Sequence, residues 1–165
     1  MLAARSQRTV DDMPLEPGDK APDFTLLDQH GDPFSLSKSV KGRKAKHLIY
    51  FYPKADTPGC TQQACGLRDI AGQVGDTAIV GISPDPPGRQ AKFDQRYGLG
   101  FPLLADEDHA VAEAYGTWGE RSMYGRSYMG IIRSAFLVDE QGKVAVAWYK
   151  VSPKDTPTNL LKALG

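Results

Sequence analysis

The 165-residue chain has only two cysteines, Cys60 and Cys65. Two are too few for a small secreted scaffold stapled by disulfides. Histidine is almost as scarce, with His30, His47 and His109 scattered along the chain. Combined with a Cys-x-x-x-x-Cys spacing they match no zinc pattern, so no metal site is expected. An excess of one charge is missing too: twenty basic and twenty acidic side chains give a formal net charge of zero. Binding to nucleic acid or an anionic membrane calls for a basic excess, and neither partner is expected. Long apolar runs are absent. Leu48 to Tyr52 and Val144 to Tyr149 are the longest, far below the roughly 20 residues of a membrane span. Met1 to Asp12 has no apolar stretch of signal-peptide length and carries Asp11 and Asp12. The expectation is a disordered extension over residues 1–14, a single domain over 15–165, and a cytoplasmic location in which thiols are reduced by default.

What the chain does have is enough apolar residue, 41% against 24% charged, to build a folded core. Seventeen glycines and twelve prolines imply many sharp turns. Phe24 to Leu27 and Pro33 to Leu36 flank a glycine turn and predict an N-terminal β-hairpin. Ser39 to Lys46 reads as a basic, solvated loop. His47 to Tyr52 is a buried strand stopped by Pro53. A helical pattern runs from Thr57 to about Gln73. Thr77 to Ser83 is a second buried strand, and Asp85-Pro86-Pro87-Gly88 launches a helix toward Tyr97. Phe101 to Ala105 predicts a strand, and Asp108 to Tyr115 a short helix. Thr117 to Gly130 reads as a glycine-punctuated loop, Ile131 to Val138 as a strand, and Lys143 to Tyr149 as its hairpin partner. Pro157 to Leu164 closes with a helix. This order predicts an α/β fold, a thioredoxin-like core with a mixed central sheet flanked by helices.

The chemistry concentrates in Tyr52-Pro53-Lys54-Ala55-Asp56-Thr57-Pro58-Gly59-Cys60. Thr57 followed by Pro58 is a helix-start signature, threonine as N-cap and proline at the first helical position. Cys60 then falls in the first turn, where unpaired backbone N–H groups and the helix dipole favour a thiolate. The alternative is a small buried hydrophobe. Spacing separates two kinds of thiol chemistry. Residues five apart in a helix lie roughly 8–9 Å apart, whereas a disulfide needs Cα atoms within about 7 Å. Cys60 and Cys65 therefore cannot bond while the helix persists. That suits a protein that is oxidised first, through a sulfenic acid, and rearranges second. A passive core residue is the alternative for Cys65.

The run Pro53-x-x-x-Thr57-x-x-Cys60 resembles the active-site motif of peroxiredoxins. Cys65, five residues on, is similar to the atypical two-cysteine branch called peroxiredoxin Q or bacterioferritin comigratory protein. The likeness extends from about Gly18 to the C-terminus and includes Gly81-Ile82-Ser83, Phe101-Pro102-Leu103-Leu104, Trp118-Gly119-Glu120 and Arg133-Ser134-Ala135-Phe136. It implies reduction of hydroperoxides without metal or organic cofactor, an intramolecular disulfide between Cys60 and Cys65, and recycling by thioredoxin or a similar dithiol protein. It also implies an active site made of Cys60, Cys65, Thr57, Arg133 and Pro53. Thr57 would hydrogen-bond the thiolate or the peroxide, and Pro53 would shape the pocket and shield the sulfur. With both cysteines in one chain, a monomer is expected.

Arg133 has a reading of its own. On a mostly apolar strand it alternates with Ile131, Ala135 and Leu137, and an arginine there needs an anion or acceptors to offset its desolvation. A neighbouring thiolate would serve; an arginine reaching water from a strand end is the alternative. Trp118, Tyr124 and Tyr128 read as packing residues or as the lining of a substrate entrance. Two other classes of function stay open on the residues alone: a redox sensor that passes oxidation to a partner, and a binding domain with structural cysteines.

Overall fold

A computed structural model describes residues 14–165; of the expected extension over 1–14, residues 1–13 lie outside the described residues. The strands are β1 (Thr25–Leu27), β2 (Pro33–Ser35), β3 (His47–Phe51), β4 (Ala78–Ser83), β5 (Leu103–Ala105), β6 (Trp118–Met123), β7 (Arg126–Ile131), β8 (Ser134–Val138) and β9 (Val144–Trp148). The helices are α1 (Leu36–Arg43), α2 (Pro58–Asp69), α3 (Pro87–Tyr97), α4 (Ala110–Ala114) and α5 (Asp155–Leu164). Seven strands form one sheet in the order β2-β1-β5-β4-β3-β8-β9. The β3–β4 and β4–β5 pairs are parallel and the other pairs antiparallel, so the sheet is mixed. This is the thioredoxin-like core anticipated from the order of elements, with its N-terminal hairpin at one edge.

β3 explains why its sequence is a continuous apolar run rather than an alternation: helices cover both faces of the sheet. Ile49 and Phe51 join Val80, Ile82, Leu104 and Phe136 in one core, closed by Leu36 and Val40 of α1. Leu48 and Tyr50 join Ile79, Leu103, Ala135 and Leu137 in the other, closed by Leu67 of α2, Phe93 of α3 and Leu160 of α5. Both cysteines belong to this second side.

Three local expectations change. The basic stretch after Ser39 is mostly helix α1, because Leu36 and Val40 bury one face and Ser35 caps its start by accepting from Lys38 N–H. Lys44 ends it in a left-handed conformation (φ 51°). The segment from Thr117 to Gly130 is largely the β6–β7 hairpin, a two-stranded sheet apart from the main one. Its strands carry polar and glycine positions rather than an apolar alternation, which is why the sequence reads as loop. Finally, strand pairing stops at Ile131 and resumes at Ser134, so Ile132 and Arg133 form a link outside both strands.

His47 is fully buried at the start of β3. Its Nδ1–H donates to the Ala45 carbonyl at 3.0 Å, which leaves Nε2 to accept from the Ser39 hydroxyl at 2.7 Å. Burial, joined by the nearby Arg43 charge, holds its pKa below the ordinary value against the opposing Ala45 bond. The unfolded chain therefore binds a proton at a higher pH than the folded one. Stability from this group is present above about pH 6.5 and falls as pH drops through the lowered folded value. Urea midpoints measured between pH 8 and pH 5 should decline more steeply for the wild type than for His47→Gln. Equal slopes would show that the imidazole takes up its proton at the same pH in the folded and unfolded chains.

Candidate active site

The chain leaves β3 at Phe51 and enters α2 at Pro58 through a six-residue turn that other elements pin in place. The buried Asp85 carboxylate accepts from the Ala55 backbone N–H and from the Ser83 hydroxyl, both at 2.7 Å. Asp56 is held at φ 62° and accepts from Arg96 Nη1 at 2.9 Å and the Tyr97 hydroxyl at 3.0 Å. Gln90 Nε2 donates to Ser83 Oγ and the Leu104 carbonyl, while its Oε1 accepts from the Tyr52 hydroxyl. The turn is therefore anchored to α3 and to the ends of β4 and β5. This places the start of α2 at the carboxyl ends of the central parallel strands, where open α/β sheets carry their sites.

Thr57 has N-cap backbone geometry, φ −97° and ψ 158°, and Pro58 is the first helical residue. The threonine side chain makes no capping bond; its hydroxyl donates to the Lys54 carbonyl at 2.8 Å. In this state the Thr57 proton is committed, so toward an incoming hydroxyl or hydroperoxide its oxygen is an acceptor rather than the donor envisaged from the sequence. Pro53 is half-buried two residues beyond β3.

Cys60 sits in the first turn of α2 and is 1% exposed. Arg133 Nη2 lies 3.4 Å from its sulfur. The other guanidinium arm, Nη1, donates to Gln63 Oε1 at 2.7 Å. Gln63 is itself fully buried, one turn beyond Cys60 on the same face, and its amide donates to Thr156 Oγ1 at 2.9 Å. The Thr156 hydroxyl in turn donates to the Ser152 carbonyl at 2.9 Å. A relay from the start of α5 thus fixes the amide, the amide fixes the guanidinium, and the guanidinium faces the sulfur. Gly59 leaves room for this: a Cβ there would lie 3.2 Å from Arg133 Nη2 and 3.4 Å from Pro153 Cγ. Sequence reasoning missed Gln63 and Thr156. A glutamine three residues after Cys60 was the available signal, yet a polar residue on a helix is ordinarily exposed.

Cys65 is half-buried on the same helix and packs against the α2-side core. Both cysteines are free thiols. α2 is tightly seated, since a Cβ on Gly66 would come within 2.8 Å of Pro157 Cγ in α5. In the same core, Tyr50 Oη is a buried side-chain polar atom with no hydrogen-bond partner among the described residues. Burial, and then the neighbouring Tyr52, Cys60 and Cys65, push the Tyr50 phenol well above its ordinary pKa, with Arg133 opposing. The ring remains neutral, packed on Tyr52 and Phe101. A buried sulfur at a helix start, faced by a fixed cation, is equipped to attack a small electrophile and to stabilise an oxyanion leaving from it.

Residues 17–147 match the AhpC/TSA family. The chain is 47% identical over 133 residues to peroxiredoxin Bcp of Escherichia coli K12, covering 79% of this chain and 83% of that one. The structure is similar to peroxidoxin BcpB from Mycobacterium tuberculosis, with 35% identity, a TM-score of 0.78, and 91% and 96% of the two chains covered. It is also similar to the bacterioferritin comigratory protein of Xanthomonas campestris studied for alkyl peroxide reduction, at 30% identity and a TM-score of 0.81, with 90% and 97% covered.

Because Gln63 holds one arm of the guanidinium, Gln63→Ala should slow oxidation of Cys60 by hydrogen peroxide by about tenfold, as expected for losing one hydrogen bond to a charged group. Gln63→Glu keeps the acceptor for Arg133 but loses the donor to Thr156 and adds a carboxylate beside the guanidinium, so it should also be slower than the wild type. Stopped-flow tryptophan fluorescence in a Cys65→Ser background reads this step alone. An unchanged rate in Gln63→Ala would mean that the guanidinium holds its place without the amide.

Proposed function

From the premise that this chain belongs to the AhpC/TSA family, we propose that it is a thiol peroxidase in which Cys60 reduces hydrogen peroxide and organic hydroperoxides and Cys65 completes the cycle. The observation that carries the reading is the 3.4 Å approach of Arg133 Nη2 to the buried Cys60 sulfur in the first turn of α2. A positive charge at that distance, joined by the helix start, complements the negative charge the sulfur carries as it attacks. The thiolate attacks one oxygen of the hydroperoxide and the O–O bond breaks. Sulfur gains that oxygen as a sulfenic acid, and the other oxygen leaves as an alkoxide or hydroxide that takes up a proton. In this reading the Arg133 guanidinium offsets the charge on the leaving oxygen, and the Thr57 oxygen accepts a hydrogen bond from the hydroperoxide.

The Cys65 thiol then condenses with the sulfenic acid, forming a disulfide and releasing water. A dithiol protein such as thioredoxin supplies the two electrons and two protons that restore both thiols. The cycle as proposed asks for no metal or organic cofactor, because sulfur carries the electrons throughout. We read the enzyme as a monomer working in a reducing cytoplasm, where it serves antioxidant defence.

The cysteine roles lead to opposite mutant behaviour. Cys60→Ser should abolish peroxide consumption, whereas Cys65→Ser should consume about one peroxide per chain and stop at the sulfenic acid. Equal single-turnover consumption by both variants, in a thioredoxin-coupled assay and in a burst measurement, would overturn the assignment. The shared helix adds a second expectation. Bond formation requires α2 to unwind between Cys60 and Cys65, since a disulfide needs Cα atoms within about 7 Å. Amide hydrogen exchange over residues 57–70 should therefore be much faster in the oxidised protein than in the reduced one. Equal protection in a protein that carries the 60–65 disulfide would rule out this motion.

A further inference from the structure

Arg133 has a second surface. Away from the sulfur it lines a cleft of about 320 Å³, together with Arg121, Ile132, Lys150, Val151 and Glu120. Three cations and one carboxylate leave the cleft positive in a chain whose formal net charge is zero. Among the described residues, Arg121 and Lys150 form no ion pair within 4.0 Å. Fixed cations without counter-charges in a concave site raise the local concentration of an anion.

The β6–β7 hairpin builds one wall. Gly119 pairs with Gly130 and Arg121 with Tyr128. The paired glycines leave one face of the hairpin bare, and other side chains take the space. A Cβ on Gly119 would meet Ile132 Cδ1 at 2.9 Å, and one on Gly130 would meet Arg121 Cδ at 3.5 Å. The Arg121 stem is thus laid across the hairpin. The opposite wall is the turn after β9. Lys150 holds φ 55° there, a conformation glycine would adopt without strain, and Val151 N–H donates to the Arg133 carbonyl at 3.0 Å. Both flanking cations are therefore mounted on backbone that is tied to the link carrying Arg133.

We propose that this cleft receives the anionic group of a short hydroperoxy acid, with Arg121 and Lys150 as the residues that select it while its peroxide lies on Cys60. The proposal rests on the peroxidase reading above and deepens it to a substrate class. The cleft and the sulfur are bridged by one side chain, so carboxylate and peroxide must lie within an arginine's length of each other. Small organic hydroperoxides carrying a carboxylate a few bonds from the O–O group meet that condition. A peroxide in the middle of a long acyl chain does not, because its carboxylate is too remote. The volume also suits a small molecule, lying at the low end of the range of about 300–1,000 Å³ for ligand sites. The reaction is unchanged: the thiolate takes one peroxide oxygen, and the hydroxy acid leaves after gaining a proton.

The test compares cumene hydroperoxide with its para-carboxylated analogue, using dithiothreitol as reductant so that no protein partner intervenes. At low ionic strength the wild type should prefer the carboxylated peroxide in kcat/KM by about tenfold, and added salt should erode the preference. Arg121→Gln/Lys150→Gln should bring the ratio near one. Lys150→Gly removes one charge while relaxing the left-handed backbone, so a reduced ratio in that variant cannot come from a damaged fold. The readout is a ratio on the same protein, and any general loss of activity cancels. A wild-type ratio near one, or a ratio the variants leave intact, overturns the proposal. So does an unchanged ratio joined to slower reduction by thioredoxin, which would make the cleft a docking face for the reductant. If the wild type consumes neither peroxide, the peroxidase reading itself falls.

Discussion

The interaction on which the site depends is the guanidinium of Arg133 set between the Cys60 sulfur and the Gln63 amide, 73 and 70 residues away in sequence. A thiolate sealed from water is costly unless a positive group and hydrogen bonds replace the solvent it has lost. The same holds for a half-buried guanidinium that has no acceptor. Each group answers the other's need, and Gln63 removes the remaining freedom of the cation. Because Gln63 is held in turn by Thr156, the geometry at the sulfur is set by α5 as much as by α2. The C-terminal helix is therefore part of the active site without supplying a reacting atom.

This arrangement conflicts with the second half of the chemistry. The packing around Cys60, with Gly66 closed against Pro157 and Gln63 bonded to Thr156, also holds intact the helix that carries both cysteines, which the proposed disulfide step would have to open. Closing a disulfide must break those contacts and several helical hydrogen bonds, each worth roughly 1 kcal/mol. In the proposed cycle, the contacts to α5 are therefore what the disulfide step has to break.

The turn that leads to Cys60 needs the opposite property. Asp85 holds Ala55 from inside and Asp56 is gripped from α3, so this segment is over-determined. In the proposed cycle this lets the thiol return to the same position when α2 refolds: the rigid entry would preserve the geometry of peroxide attack while the helix yields.

Features decided by local chemistry were legible in the sequence. Thr57-Pro58 marked the start of α2, the unbroken apolar run of β3 marked a buried strand, and the helical pattern after Thr57 put both cysteines on one helix. Each depends on neighbours in sequence, through backbone dihedrals, helix geometry or burial pattern. Features decided between distant segments were not legible. Arg133 looked like one position in a continuous strand, yet pairing stops at Ile131 and resumes at Ser134, and the break frees its side chain to turn toward the sulfur. The β6–β7 hairpin lacked an apolar alternation because it leaves the main sheet and is largely exposed. Gln63 looked like a solvated helix residue, and only the approach of α5 makes it a buried link between Arg133 and Thr156. Sequence by itself determined that Cys60 stands in the first turn of a helix and that Cys65 follows on the same helix. Tertiary structure decided what faces that sulfur, because a charge partner 73 residues away is chosen by packing and not by spacing.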